Sequence, residues 1–150
     1  MDTGCELVFE PGFSPGGDSL AHTCVRGDGD YALNLLELRG GKNRRLFGGP
    51  RDIQGAAWTR DGARIIFSSV SLPRGVESGD LWQITLGQSE SPEKVPAGHD
   101  ASSPVISSSG KRLAYVRSRI NGNIGPTLGS RATFPQRDFW TAVRGCALSG

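Results

Sequence analysis

The sequence predicts an all-β chain of repeated antiparallel four-stranded units, two nearly complete and part of a third. Three observations predict it. Glycine supplies 22 of the 150 residues and proline 9, a breaker content that short strands and many turns tolerate and a helical bundle does not. Three segments align without gaps: residues 13–22 (FSPGGDSLAH), 58–67 (WTRDGARIIF) and 106–115 (ISSSGKRLAY). Residues 80–86 (DLWQITL) carry β-branched and aromatic side chains with no helical cap, which reads as a strand. A hydrophobic share of 36% with 21% charged residues is enough for a packed core. It excludes a collagen, a heptad rod and a long acidic tail.

The elements follow in order within each unit. A large apolar residue opens it, at Phe13, Trp58 and Ile106. A polar turn ends in Gly17, Gly62 and Gly110, at spacings of 45 and 48. That last turn position calls for a positive φ, which glycine adopts at little cost. An apolar strand follows each turn. The next strand is residues 32–38 in the first unit and 80–86 in the second, an offset of 48. A short, edge-like strand closes each unit, at residues 44–47 and 93–96. Four strands in about 45 residues is the signature of one propeller blade, so the chain reads as a partial β-propeller.

The pattern apolar-Ser/Thr-x-Asp-Gly, then a basic residue, then Ile-x-Phe, then Asp-Leu-Trp-x-Ile resembles the WD-like propeller repeat of the TolB type. Residues 58–68 with 79–84 form the best copy, and the resemblance covers residues 9–124. Expected blades are 9–52, 53–99 and 100–124, followed by an atypical tail over 125–150. The first unit departs from the pattern, with Gly16 where the repeat has Asp and His22 where the others have Phe67 and Tyr115. The third unit begins its next strand at 122–124 and then loses the pattern at Gly125 and Pro126. A proline cannot donate to a central ladder. Residues 125–150 read as a linker, a short helix around 137–144, or a foreign terminus. Closed propellers have 4–8 blades. The sequence therefore reads as a piece of a longer ring, as an arc that self-associates through open blade edges, or as an arc that stands alone, with the piece preferred.

Charge and cysteine usage bound the partners. The net charge of +2 is too small to argue for nucleic acid by bulk electrostatics. Residues 1–100 nonetheless hold 10 basic and 14 acidic side chains, and residues 101–150 hold 7 basic ones and Asp138. Nucleic-acid binding by the basic final portion is thus a third possibility. Cys5, Cys24 and Cys146 are odd in number and lack metal-ligand spacing, so neither a disulfide framework nor a zinc site is expected. Cys24 reads as a small buried hydrophobe. No run is long enough for a membrane helix, and no signal peptide is legible at the start.

Each candidate for chemistry has a simpler structural account. Asp28 and Asp30 have a calcium-like spacing but lack further ligands, so they read as a hairpin tip. His22 reads as a packed strand residue. His99 and Asp100 could pair as base and orienter, but no Gly-x-Ser-x-Gly accompanies them, and they read as a turn. Gly40, Gly41 and Lys42 lack the full phosphate-loop spacing and read as the turn before an outer strand. Arg44, Arg45 and Arg51, and Lys111, Arg112, Arg117 and Arg119, read as solvated surface without an aromatic platform. Trp58, Phe67, Trp82 and Tyr115 read as inter-blade packing. No catalytic, cofactor-binding or metal-binding residue is expected.

The resemblance implies a non-catalytic segment for protein interaction or sensing, as in the periplasmic TolB component and in the sensor regions of bacterial winged-helix regulators and Ser/Thr kinases. It would place the protein in the periplasm if the parent is of that kind. Residues 71–78, the longest variable loop, are the expected contact site for a protein partner. The alternative is the gating propeller of a prolyl-oligopeptidase-type peptidase, whose catalytic residues lie on a separate domain.

Overall fold

A turn written three times in the sequence organises the structure. In each copy a Ser or Thr stands three residues before the glycine. The Gly17, Gly62 and Gly110 N–H groups donate to the Ser14, Thr59 and Ser107 carbonyls at 2.8–2.9 Å. The same hydroxyls accept the N–H of Ser19, Arg64 and Arg112 at 3.1, 3.0 and 3.1 Å. The three glycines have φ of 70°, 70° and 73°, as the sequence leads one to expect. The missing aspartate of the first copy is replaced from another position. Ser14 donates to Asp18 at 2.7 Å, where Thr59 donates to Asp61.

The computed structural model describes residues 4–49, 51–71, 79–87, 91–96, 98–117 and 141–142. Every element among them is a strand. The first sheet contains β1 (Leu7–Phe13), β2 (Ser19–Val25), β3 (Tyr31–Glu37) and β4 (Asn43–Gly49) in that order, all antiparallel. The second contains β5 (Arg51–Trp58), β6 (Arg64–Ser71), β7 (Gly79–Thr85) and β8 (Glu93–Lys94), in the same arrangement. The third has β9 (Ala101–Ile106) paired antiparallel with β10 (Arg112–Arg117). These are the antiparallel blades of a partial β-propeller. The outer strand of the first blade is seven residues long, against the four expected. Thr141–Ala142 form β11, parallel to β10. That pair is therefore strand, not part of a helix. The rest of 125–150, and the expected strand at 122–124, lie outside the described residues.

Two cores form between the blades because β6 is buried on both sides. Alternate residues of a strand point to opposite faces. Ile65 and Phe67 join Ala21, Leu33, Leu35 and Leu46 of the first blade. Ile66 joins Leu81, Val95, Ala101, Leu113 and Tyr115 on the other side. Phe67 is fully buried, and its ring lies 5.3 Å from that of Phe47. Burying such a side chain contributes about 1.5–3 kcal/mol. Trp58 and Trp82 pack against the first core, so the four aromatics sit between blades as the repeat phase requires. In the first blade, His22 and Asn34 are cross-strand partners, at the positions Phe67 and Trp82 occupy in the second. Both are buried.

The cysteine expectation is corrected. Cys5 and Cys24 form a disulfide, with Cα atoms 5.4 Å apart. Cys24 is buried, but as half of a covalent link. An odd cysteine count hides a single pair, and only the β1–β2 ladder shows that the two meet.

Candidate functional site

The three inner strands β1, β5 and β9 each carry a bulge at the same point of the repeat. Register shifts fall between Phe9 and Gly12, between Gln54 and Ala57, and opposite the Ala114–Val116 step of β10. A positive φ marks each: 52° at Glu10, 71° at Gly55 and 51° at Ser103. These residues keep the 45 and 48 spacings of the turn glycines. Positive φ in non-glycine residues is uncommon, and bulges re-aim side chains where strands reach a rim or a site.

The bulges interlock. The Glu10 carboxylate accepts the N–H of Gly55. A Cβ at Gly55 would lie 2.6 Å from Pro104 Cδ, so the second bulge sits directly against the third. Beyond them, Trp58 Nε1 donates to the Gly12 carbonyl at 2.8 Å. Arg60 Nη1 donates to the Ser109 carbonyl at 3.3 Å. The C-terminal ends of the inner strands are thereby held side by side.

They enclose a groove of about 370 Å³, lined by Phe13, Pro15, Ala56, Trp58, Pro104 and Val105 among others. Phe13 is 66% exposed and Val105 62%, although both are large and apolar. Arg60 supplies the positive charge of the lining, and Ser107 and Ser108 supply hydroxyls. The Ser107 hydroxyl is engaged with Ser109 and the Arg112 N–H. The surface suits apolar and backbone contacts with a docked chain; its residues offer no acid–base pair.

The sequence-derived candidates lie elsewhere. Asp28 and Asp30 form the tip between β2 and β3, where Asp28 accepts the Asp30 N–H at 2.9 Å. Asp30 is drawn into a two-bond ion pair with Arg45 at 2.8 and 3.1 Å. Gly40, Gly41 and Lys42 form the turn into β4, where Gly41 donates to Glu37. His99 and Asp100 lie in a turn, as expected, and His99 Nδ1 lies 3.1 Å from Asp80. Asp80 also accepts from Lys94 at 2.6 Å, and Lys94 rests 5.2 Å over the Trp82 ring. Burial raises the Asp80 carboxyl, but Lys94 and then His99 outweigh it and hold the group below its ordinary range. Lys111 and Arg112 are exposed. Among the described residues no group of three or more His, Cys, Asp or Glu could hold a metal ion. The expected contact loop falls outside the described residues, except for Ser71, which ends β6.

Sequence reasoning located Phe13, Trp58 and Ile106 as repeat positions but did not see the groove. A signal was present: Glu10, Gly55 and Ser103 share one phase. Their residue types share no common pattern.

No family model matches the sequence, and no curated protein does. Solved structures do. The chain is similar to TolB from Acinetobacter baumannii, at 26% identity and TM-score 0.62, over 80% of this chain and 28% of that one. A putative TolB from Agrobacterium tumefaciens matches at 18% identity and TM-score 0.57, over 84% and 48%. The β-propeller domain of the Trilobed protease from Pyrococcus furiosus matches at 15% identity and TM-score 0.56, over 74% and 34%. The chain thus spans less than half the length of each of these proteins.

Proposed function

We propose that this chain is a non-catalytic propeller segment for protein interaction or sensing, and that the inner-strand groove is its contact face. One observation carries the reading: Phe13 and Val105 stand exposed in the lining of one concave, mostly apolar surface held by three interlocked strands. Grouped exposed apolar side chains cost solvation and are characteristic of contact surfaces. The likeness to TolB supports a role of this class.

A photo-crosslinking residue placed at Phe13 tests it in cells. The expected result is a discrete protein adduct that Val105→Asp abolishes. The same residue at Leu38, exposed but outside the groove lining, should give no such adduct. Equal crosslinking from Phe13 and Leu38 would remove the groove from the reading.

The second reading is the gating propeller of a prolyl-oligopeptidase-type peptidase. It is favoured by the propeller of the Trilobed protease sharing this fold. A Gly-x-Ser-x-Gly hydrolase domain encoded next to this chain would decide for it.

A further inference from the structure

Each blade has a backward face, set against the blade before it, and a forward face, set against the blade after it. Val8, Ile53 and Ala101 hold one register position, opposite Cys24, Ser69 and Arg117. Ile53 lies in the core against the first blade and Ala101 in the core against the second, at 0% and 1% exposure. Val8, on the backward face of the first blade, is 53% exposed. Leu20 and Leu36 pair there as Ile65 and Ile84 pair in the second blade, and they are only half-buried. His22 shares that face by strand alternation, and its buried Nδ1 has no hydrogen-bond partner among the described residues. The third blade is bare on its other side. Gly12 with Ala21, Ala57 with Ile66, and Val105 with Ala114 are equivalent pairs on the forward faces. Ala21 and Ile66 are buried between blades, whereas Val105 is 62% exposed and Ala114 is exposed.

The turns of successive blades also meet in order. A Cβ at Gly62 would lie 3.8 Å from Pro15 Cδ, and Arg60 reaches the Ser109 carbonyl. Continuing that order past the third blade brings the turn holding Lys111 and Arg112 onto a turn holding Asp18. Residues 4–25 contain Glu6, Glu10 and Asp18 and no basic side chain, and residues 101–117 contain Lys111, Arg112 and Arg117 and no acidic one. The two open faces are therefore both apolar and flanked by opposite charge, which orients an encounter. We infer that the forward face of the third blade seats on the backward face of the first blade of a second copy, and that two copies close one ring through two such contacts. The contact is the one the chain makes twice within itself, continued between molecules. Closed propellers have 4–8 blades; the three described units fall short of that number, and two copies of them reach it. A contact between two different faces either closes into a ring or runs on as a filament, and the turn from blade to blade makes it close. The inference does not rest on what the groove binds. Val105 borders both surfaces, so the test is placed at Val8 and Ala114, which do not line the groove.

Sedimentation equilibrium of the full chain tests it. Wild type should sediment at the mass of two chains, and added salt should weaken the pair. Val8→Arg and Ala114→Arg should each sediment as single chains with the circular dichroism spectrum of wild type. Mixed together, the two variants should pair with each other, because Ala114→Arg keeps a sound backward face and Val8→Arg a sound forward one. Wild type at the mass of one chain would overturn the proposal whether or not the variants fold. So would an open series of larger species, pairs that persist in both variants, or mixed variants that remain single.

Discussion

Gly55→Ala tests whether the interlocked bulges, and not only the two apolar cores, hold the blades in register. Two effects add at this position. The φ of 71° is a left-handed conformation that costs a residue with a Cβ about 1–2 kcal/mol. The new methyl would also lie 2.6 Å from Pro104 Cδ and 3.3 Å from its Cγ and N. Pro104 is part of a proline ring within β9, so it can yield only by moving the third blade. Overpacking of that kind costs about 1–3 kcal/mol. The backbone N–H that donates to Glu10 is retained, so the substitution isolates conformation and crowding. Gly62→Ala is the matched control: φ is 70°, but the nearest atom, Pro15 Cδ, is 3.8 Å away. Urea unfolding should show a loss of about 1–2 kcal/mol for Gly62→Ala and about 2–5 kcal/mol for Gly55→Ala. Adding Pro104→Ala to Gly55→Ala should return part of the excess, since sites in contact are not additive. Equal losses for the two glycine variants would mean that the second and third blades do not press together at this point.

Trp58→Phe retains much of the apolar contact but leaves the Gly12 carbonyl without the 2.8 Å bond from the indole. Urea unfolding should register a loss of about 1–2 kcal/mol, and an unchanged midpoint would assign the contact between the first two blades to apolar packing alone. The Thr59 hydroxyl and then the Ala63 N–H hold the Asp61 carboxyl below its ordinary value of 3.8. A depressed carboxyl contributes stability above that value and loses it as pH falls through the lower, folded-state value. Thermal melts from neutral to strongly acid pH should therefore show wild type above Asp61→Asn at neutral pH and the gap closing in acid; a constant gap would refute the assignment.

Much of the architecture was legible because the turn imposes local chemistry. A hydroxyl residue followed three positions later by a glycine at positive φ is a short-range requirement, and Ser14, Thr59 and Ser107 meet it with Gly17, Gly62 and Gly110. The apolar run at residues 65–67 announced β6 as a strand, and its burial on both faces emerged with the blades on either side. The groove was not legible, because its members come from three blades and no single stretch is unusual. Val105 is an ordinary strand residue until the fold places it in the lining of the same groove as Phe13. The turn at His99 and Asp100 was legible, but the contact of His99 with Asp80, nineteen residues away in sequence, was not.

The sequence alone determined the strand content, the phase of the repeat and the turns, since each is set by residue pattern and turn chemistry within a hairpin. Tertiary structure decided which cysteines join, which bulges touch and where an apolar hollow opens. Those outcomes depend on how one sheet is set against the next, and that is fixed by packing between residues some 45 positions apart.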